Sequence, residues 1–340
     1  MAQKNNNNST INDVAALANV STATVSRVLN KKGPVAARTV ERVYTAIAEL
    51  DYVPHSGARQ MAGGRKNLVG LIFPGIGDPY LAELLMGIEQ RLVEEGYELL
   101  LYCTQGHSSQ DRRAFLPLNE NNTDGLIVFA HSLSETELRR FHKRNLPVVL
   151  LHQTPPTGLD IPCVTVENKK GAANAVAHLI ACGRRHIAFL AGPEGNEDSY
   201  WRELGYRETL VAHGIPFRAG LVKNGGFAAA LSETAVTEWV KNGTEIDAIF
   251  AADDASAQGA IFALQQAGKR VPEDVAVIGF DDANFAHYLN PPLTTISAPI
   301  QEAGSKAAEQ LLKLMRGETA VSLTLLPTEL IVRESCGEKI

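Results

Sequence analysis

Along the first fifty residues the apolar positions fall at helical spacing. Ile11, Val14, Ala15, Leu17 and Ala18 make one stripe, Val25, Val28 and Leu29 a second, and Val40, Val43, Ile47 and Leu50 a third, the period of amphipathic helices. Thr10-Ile-Asn-Asp13 places an N-cap residue three positions ahead of an acid, a helix start signal. Asn19-Val20-Ser21 breaks the pattern, since Asn tolerates a left-handed turn and Ser can cap the helix that follows. Three helices are predicted, the second over about Thr22–Leu29 and the third over about Ala37–Leu50, with a tight turn between the first two. This is a helix-turn-helix pattern. Packing uses Val25, Val28 and Leu29, so Thr22, Ala23, Ser26, Arg27 and Asn30 point outward.

The periodicity lapses after Tyr52-Val-Pro54. In His55–Gly64, Gly57, Gly63 and Gly64 leave at most one or two marginal helical turns, so this reads as a linker. Beyond it, short apolar runs alternate with amphipathic stretches. Strands are predicted at Leu68–Phe73, Leu99–Cys103, Gly125–Phe129, Val148–His152, Val164–Val166, His186–Leu190, Ala248–Ala251 and Val275–Phe280. Helical patterns such as Leu81–Glu95, Ala172–Ala181, Trp201–His213 and Ala255–Ala267 lie between them. Apolar strands alternating with amphipathic helices mean parallel sheets covered on both faces. That many units fit two doubly wound subdomains better than one, with a (β/α)₈ barrel as the competing topology.

Charge changes the picture. The 340 residues carry a net −6, which alone argues against a polyanionic partner. Residues 1–66, however, hold nine Lys/Arg against four acids, a net of +5 that leaves −11 on the rest. A basic head on an acidic body points to nucleic acid at one end only. Hydrophobic residues at 45% and charged residues at 21% are ordinary for a soluble globular chain with room for two or three domains. No apolar run reaches membrane-spanning length and the opening MAQKNNNNST has no apolar signal segment, so a cytoplasmic location is expected. Cys103, Cys163, Cys182 and Cys336 are scattered without CxxC spacing and read as reduced thiols, with neither a metal site nor a disulfide framework. No metal or cofactor is expected.

Ile11-Asn-Asp-Val-Ala-Ala-Leu-Ala-Asn-Val-Ser-Thr-Ala-Thr-Val-Ser-Arg-Val-Leu-Asn30 resembles the headpiece of the lac-repressor (LacI/GalR) family of bacterial transcription regulators. His186-Ile-Ala-Phe-Leu-Ala-Gly-Pro193, Val271-Pro-Glu-Asp-Val-Ala-Val-Ile-Gly-Phe-Asp-Asp282 and Pro291-Pro-Leu-Thr-Thr-Ile296 continue the match, so that it covers about residues 10–335. The resemblance implies an α/β protein with a helix-turn-helix headpiece at 1–54, a hinge helix or linker at 55–66, and an effector-binding and dimerisation body at 67–340. The body would be periplasmic-binding-protein-like, its lobes joined by three crossovers. The first lobe would span about 67–164 and 294–325, the second about 165–293 and 326–340. The implied function is allosteric repression of a carbohydrate-utilisation operon, with a homodimer on a near-palindromic operator. The chain closes soon after Leu323–Arg333 with no trailing leucine heptads of the kind that make tetramers, which also points to a dimer.

Carried over residue by residue, the resemblance places Thr22, Ala23 and Arg27 on base edges of the major groove. Arg suits guanine O6 and N7, Thr several bases, and Ala a thymine methyl. Ser21, Thr24, Ser26 and Asn30 would meet phosphates. Ala58 and Arg59 would lie in the minor groove beside Met61, the wedge where the family usually has Leu. Two departures weaken this end: Gly57 raises the cost of folding the hinge, and Ala36 stands where Ser or Thr would cap the third helix. The implied effector residues are Tyr80, Leu81, His152, Arg202, Phe227, Asp253 and Asp281. Aromatic faces with Arg and Asp suit a polyhydroxylated ring. A sugar or sugar derivative is expected, phosphorylated and acidic forms included, with a nucleoside or purine as the alternative. An enzyme finds no support: Gly75-Ile-Gly77 is a fragment of a dinucleotide fingerprint, and P-loop, HExxH and GxSxG motifs are absent from the sequence. Asp253-Asp254 and Asp281-Asp282 are explained by their places in the family motif rather than by acid–base or metal work.

Overall fold

The computed structural model describes residues 9–29, 33–52, 66–75, 79–104 and 116–337, and the chain divides after Lys66 into two units. In the first, α1 (Ile11–Leu17) opens on the expected capping box: Asp13 N–H donates to Thr10 Oγ1 at 3.4 Å and Thr10 N–H to Asp13 Oδ2 at 2.7 Å. Asn19 turns the chain at φ 49°, and Ser21 Oγ accepts from Thr24 N–H at 3.2 Å to start α2 (Thr22–Leu29). Arg42, on α3 (Ala37–Glu49), donates to the carbonyls of Ala18 and Asn19 and so pins the turn from outside. Val14, Val25 and Val43 meet with no exposure at all. Ala36 makes no side-chain cap bond to α3.

The second unit holds two six-stranded sheets. In the first lobe β1 (Leu68–Phe73), β2 (Glu98–Cys103), β3 (Gly125–Phe129), β4 (Val148–Leu151), β5 (Cys163–Val166) and β11 (Leu323–Leu326) are all parallel, ordered β11-β5-β4-β3-β1-β2. In the second lobe β6 (Ile187–Ala191), β7 (Val222–Asn224), β8 (Ala248–Ala251), β9 (Ala276–Asp281), β10 (Thr294–Ser297) and β12 (Glu329–Ile331) are ordered β12-β10-β9-β8-β6-β7, with β12 alone antiparallel. Two open sheets, each with free edges, rule out the barrel.

Helices between the strands cover the sheets: α4 (Pro79–Glu94), α5 (Glu135–Lys143), α6 (Asn168–Ala181), α7 (Glu197–Ala212), α8 (Ala229–Lys241), α9 (Asp254–Gln266) and α10 (Ile300–Met315). The chain passes between lobes three times, after β5, β10 and β11. These passages correct the lobe limits set out above. Thr294–Ser297 pairs with β9 and β12 in the second lobe, so the return to the first falls after Ser297, while Thr165 and Val166 still belong to the first sheet.

Helix pairs cross on glycine. A Cβ on Gly87 of α4 would lie 1.9 Å from the Gln301 carbonyl oxygen of α10, and one on Gly304 of α10 would lie 2.3 Å from that of Leu84. Gly259 of α9 meets the Ala229 carbonyl of α8 in the same way, and Gly205 of α7 meets that of Lys169 on α6. Backbones this close leave no room for a methyl group.

One buried acid stitches the second lobe. Asp254 is 1% exposed; its Oδ1 accepts from Thr295 Oγ1 at 2.6 Å and its Oδ2 from Ala283 N–H at 2.7 Å. Burial raises this carboxyl to about 7 against the pull of those two bonds, and Asp253 and Asp282 add repulsion.

Two predictions follow from this packing. Gly304→Ala forces α4 and α10 apart and costs about 1–3 kcal/mol in urea unfolding; an unchanged midpoint would mean that the pair slides freely. Asp254 holds its proton in the folded chain where the unfolded chain has released it. Its contribution is therefore complete below the ordinary aspartate value of 3.8 and lost as pH rises through about 7. Wild type should lose stability between about pH 4 and about pH 7 that Asp254→Asn retains, since the amide oxygen can accept from Ala283 N–H and the amide N–H can donate to Thr295 Oγ1; equal losses in both proteins would place the proton elsewhere.

Candidate functional site

A cleft of about 320 Å³ opens at the C-terminal ends of both sheets, the place where open parallel sheets present loops to a ligand. From the first lobe come Pro74 and Tyr80, after β1, and Phe129, Ala130 and His131 at the end of β3. The second lobe supplies Glu194, Asn196, Asp198 and Arg202 on and before α7, together with Phe227, Asp253 and Asp281. Tyr80 and Phe129 lie 5.9 Å apart between ring centroids, and each packs on His152 beneath them. Opposite, the Phe227 ring occupies the space that a Cβ on Gly192 would fill, 2.3 Å from the nearest ring atom.

Arg202, 3% exposed, is the hub of the second wall. Its Nε donates to Asn168 Oδ1 at 2.8 Å, Nη1 to the Ala252 carbonyl, and Nη2 stands 3.4 Å from Asp281 Oδ1. The guanidinium also stacks 3.7 Å over the Phe280 ring. One turn earlier on α7, Asp198 accepts from Asn168 Nδ2 at 2.7 Å and sits 2.9 Å from His152 Nδ1. Burial works against this carboxylate, but His152, Arg202 and Asn168 outweigh it and hold its pKa below the ordinary value. His152 Nε2 lies 2.5 Å from Tyr80 Oη. The pairing with Asp198 puts the imidazole proton on Nδ1, so Nε2 accepts from the tyrosine hydroxyl. Tyr80–His152–Asp198 thus runs from the first lobe into the second. Further bonds join the lobes, among them Thr154 N–H to Glu197 Oε2 at 2.8 Å, Thr165 Oγ1 to Asp198 Oδ1 at 3.4 Å and Asn284 Nδ2 to Glu83 Oε1 at 3.0 Å.

The backbone around the cleft is unusual. Ala130, His131, His152, Phe227 and Asp281 have φ of 28°, 47°, 56°, 56° and 107°. Positive φ in non-glycine residues costs about 1–3 kcal/mol each and clusters where structure serves a site.

Of the seven implied effector residues, Tyr80, Arg202, Phe227, Asp253 and Asp281 line the cleft. Leu81 does not; it is 8% exposed and faces the core shared by α4 and the sheets. Nor does His152, which is 1% exposed and lies under the aromatic wall as a bridge between lobes. The acid pairs are split by role. Asp253 caps α9 by accepting from Ser256 N–H at 3.1 Å and faces the cleft, whereas Asp254 turns inward and Asp282 pairs with Arg333 at 2.6 Å. Among the described residues no group of three His, Cys, Asp or Glu is arranged to hold a metal ion. Sequence reading passed over Asp198, Phe129 and Asn196. Asp198 had a signal, since it stands four residues before Arg202 and so shares its helix face.

In the first unit α2 carries Thr22, Ala23 and Arg27 exposed, with Thr24 and Ser26 half-buried. Ser21 Oγ and Thr24 Oγ1 lie 2.9 Å apart, so their hydroxyls also serve the cap. Asn30, Ala58, Arg59 and Met61 lie outside the described residues.

The lacI family of bacterial regulatory proteins matches residues 10–55, and a periplasmic binding protein-like domain matches residues 176–336. The chain is 34% identical to the ribose operon repressor of Halalkalibacterium halodurans, over 96% of each protein. It is 32% identical to the transcriptional repressor CytR of Escherichia coli, over 98% of each. Its fold is similar to that of the lac repressor dimer bound to operator and the anti-inducer ONPF, with a TM-score of 0.83 and 27% identity over 97% of this chain and 99% of that one. No helix among the described residues is long and apolar enough to cross a membrane. With a helix-turn-helix head, a two-lobed body that opens a cleft at its strand ends, and relatives matched along nearly its whole length, the chain belongs to the lacI family of bacterial regulatory proteins.

Proposed function

We propose that the protein is a cytoplasmic homodimeric repressor of a carbohydrate-utilisation operon, released from or fixed on its operator by a small neutral sugar held in the cleft. The head supplies the DNA reading. Thr22, Ala23 and Arg27 stand on the exposed face of α2, a surface of one cation, a hydroxyl and a methyl group with no carboxylate, which suits base edges in the major groove. Ser21, Thr24, Ser26 and Asn30 serve the phosphates, and Ala58, Arg59 and Met61 the minor groove. A two-fold dimer matches two half-sites, and the lac repressor of similar fold is a dimer on its operator.

The observation that carries the effector class is the charge of the cleft. Among its described lining residues Glu194, Asp198, Asp253 and Asp281 oppose a single cation, Arg202, three of whose five N–H groups already face Asn168, Ala252 and Asp281. Carboxylates accept from paired sugar hydroxyls and repel phosphate or carboxylate groups. The volume of about 320 Å³ lies at the small end for ligand sites and suits a single ring. Relatives point the same way: one is a ribose operon repressor, and a LacI family regulator from Enterococcus faecium, 25% identical with a TM-score of 0.71, holds ribose. The three aromatic faces of Tyr80, Phe129 and Phe227 would also stack on a purine or nucleoside, the second reading. The cleft is read as a binding site rather than a catalytic one, because Asp253 caps a helix and Asp198 and Asp281 serve Arg202 and His152.

Selection of bound duplexes from a random DNA library tests the head. A near-palindromic consensus with steep salt dependence is expected; weak binding without consensus, with and without sugar, overturns the reading. Against the consensus, Arg27→Ala should weaken binding by about 1–3 kcal/mol and relax one base position. Equal loss on every sequence would make Arg27 a phosphate contact. For the body, thermal unfolding is compared in matched pairs, D-ribose with ribose 5-phosphate and D-glucose with glucose 6-phosphate. A neutral member at saturating concentration should raise the midpoint by about 5 °C and its phosphate should not; a larger shift with a phosphate refutes the neutral class.

A further inference from the structure

On the side of the second lobe away from the cleft, two cysteines converge on one imidazole. His178 and Cys182 stand one turn apart at the C-terminal end of α6, where Cys182 is the cap residue. Cys336 belongs to the short 3-10 turn Glu334–Cys336. Its Sγ lies 3.2 Å from His178 Nε2, and Cys182 Sγ lies 3.7 Å from that same nitrogen, so the sulfurs are separated by no more than those two distances combined. Cys336 is fully buried and Cys182 half-buried, which leaves one thiol reachable from solvent and the other protected behind it.

The other two thiols lack this arrangement. Burial pushes Cys163 up to about 12, where no thiolate forms at neutral pH. Among the described residues, Cys103 Sγ has the Pro74 carbonyl as its hydrogen-bond partner, at 3.5 Å, and a carbonyl cannot take a proton. A helix C-terminus on its own disfavours a thiolate. Here, however, Arg185 Nη1 donates to the Ile180 carbonyl in the last turn of α6 at 2.8 Å and so offsets the local negative potential. The turn bearing Cys336 is held in place: Ser335 Oγ donates to the Val277 carbonyl at 2.6 Å and accepts from Thr294 N–H at 2.8 Å.

We infer that Cys182, His178 and Cys336 form an oxidisable dithiol site whose co-substrate is a small peroxide. Imidazole takes the Cys182 proton, and the thiolate attacks one peroxide oxygen. The O–O bond breaks, sulfur becomes a sulfenic acid, and the leaving hydroxide takes the proton from His178 and departs as water. The Cys336 thiol then attacks the sulfenic sulfur. An S–S bond forms, the S–O bond breaks, and a second water leaves. Two thiols are oxidised and one peroxide is reduced to two waters. In a reducing compartment such a bond is transient and regulatory.

The test uses the full chain and hydrogen peroxide. The product should be lighter by about 2 Da, keep two of its four thiols, give a peptide linking Cys182 to Cys336, and revert with dithiothreitol. His178→Asn should slow the reaction roughly tenfold, the effect of about one pKa unit of lost thiolate. Cys103→Ser should react at the wild-type rate. Four thiols left intact, Cys182 carried to sulfinic acid with Cys336 still free, or a link between two chains would each overturn the inference. The wild-type mass measurement decides even where a variant fails to fold.

Discussion

A guanidinium this deeply buried has to be satisfied largely by protein, and that of Arg202, 3% exposed on the cleft wall, organises the second lobe. It draws Asn168 from the start of α6, the Ala252 carbonyl from beyond β8 and Asp281 from the end of β9, and it lies flat on Phe280. Removing one partner of such a buried pair costs about 3–5 kcal/mol because the other charge is left behind. The loops that make the cleft wall are therefore not independent of one another. Asn168 serves Arg202 through its oxygen and Asp198 through its nitrogen, which couples cation and anion through one amide. Of the five residues with positive φ around the cleft, His152 and Asp281 are tied directly into this network, which helps to over-determine their positions.

The network does not stop at the lobe boundary. Asp198 passes to His152 and His152 to Tyr80, so the lobes are bonded directly beneath the space a ligand would take. Thr154–Glu197 and Asn284–Glu83 add links elsewhere. A ligand binding between the lobes does not create closure from nothing; it shifts an equilibrium in which closure already has bonded partners. Only the difference in its contacts with the open and closed forms can move that equilibrium. In the proposed neutral-sugar reading, the carboxylates supply that difference for hydroxyl groups and oppose it for anions.

Much of this was legible in the sequence where local signals and tertiary demands agree. The helices of the head begin and end at the cap and turn residues that announce them, Thr10, Asn19 and Ser21. The central strands of both sheets read as apolar runs and are buried throughout, as in Val148–Leu151 and Ala248–Ala251. The strands not foreseen, β7, β10, β11 and β12, are three or four residues long and lie at or next to an edge. In β10 the fully buried Thr294 and Thr295 hide the apolar signal, their hydroxyls bonded to the Arg333 amide and to Asp254. At the cleft, position in a motif located Arg202, Phe227 and Asp281 but could not tell a lining residue from one directly behind it. Leu81 and His152 follow lining positions by one residue or stand one layer deeper. Asp198 was overlooked because its partners are distant in sequence, forty-six residues away in the case of His152.

The three passages between lobes have a consequence for how the chain comes into being. Neither lobe is a continuous stretch: the first sheet waits for β11 at Leu323–Leu326 and the second for β12 at Glu329–Ile331. The turn that locks β9 and β10 through Ser335 comes later still. During synthesis from the N-terminus, the body therefore cannot finish folding until nearly all of the chain has left the ribosome. Among the described residues, the core of the head is complete at Tyr52. A nascent chain acquires its DNA-reading surface long before the part that governs it, so every molecule begins life with its reader assembled and its regulator unfinished.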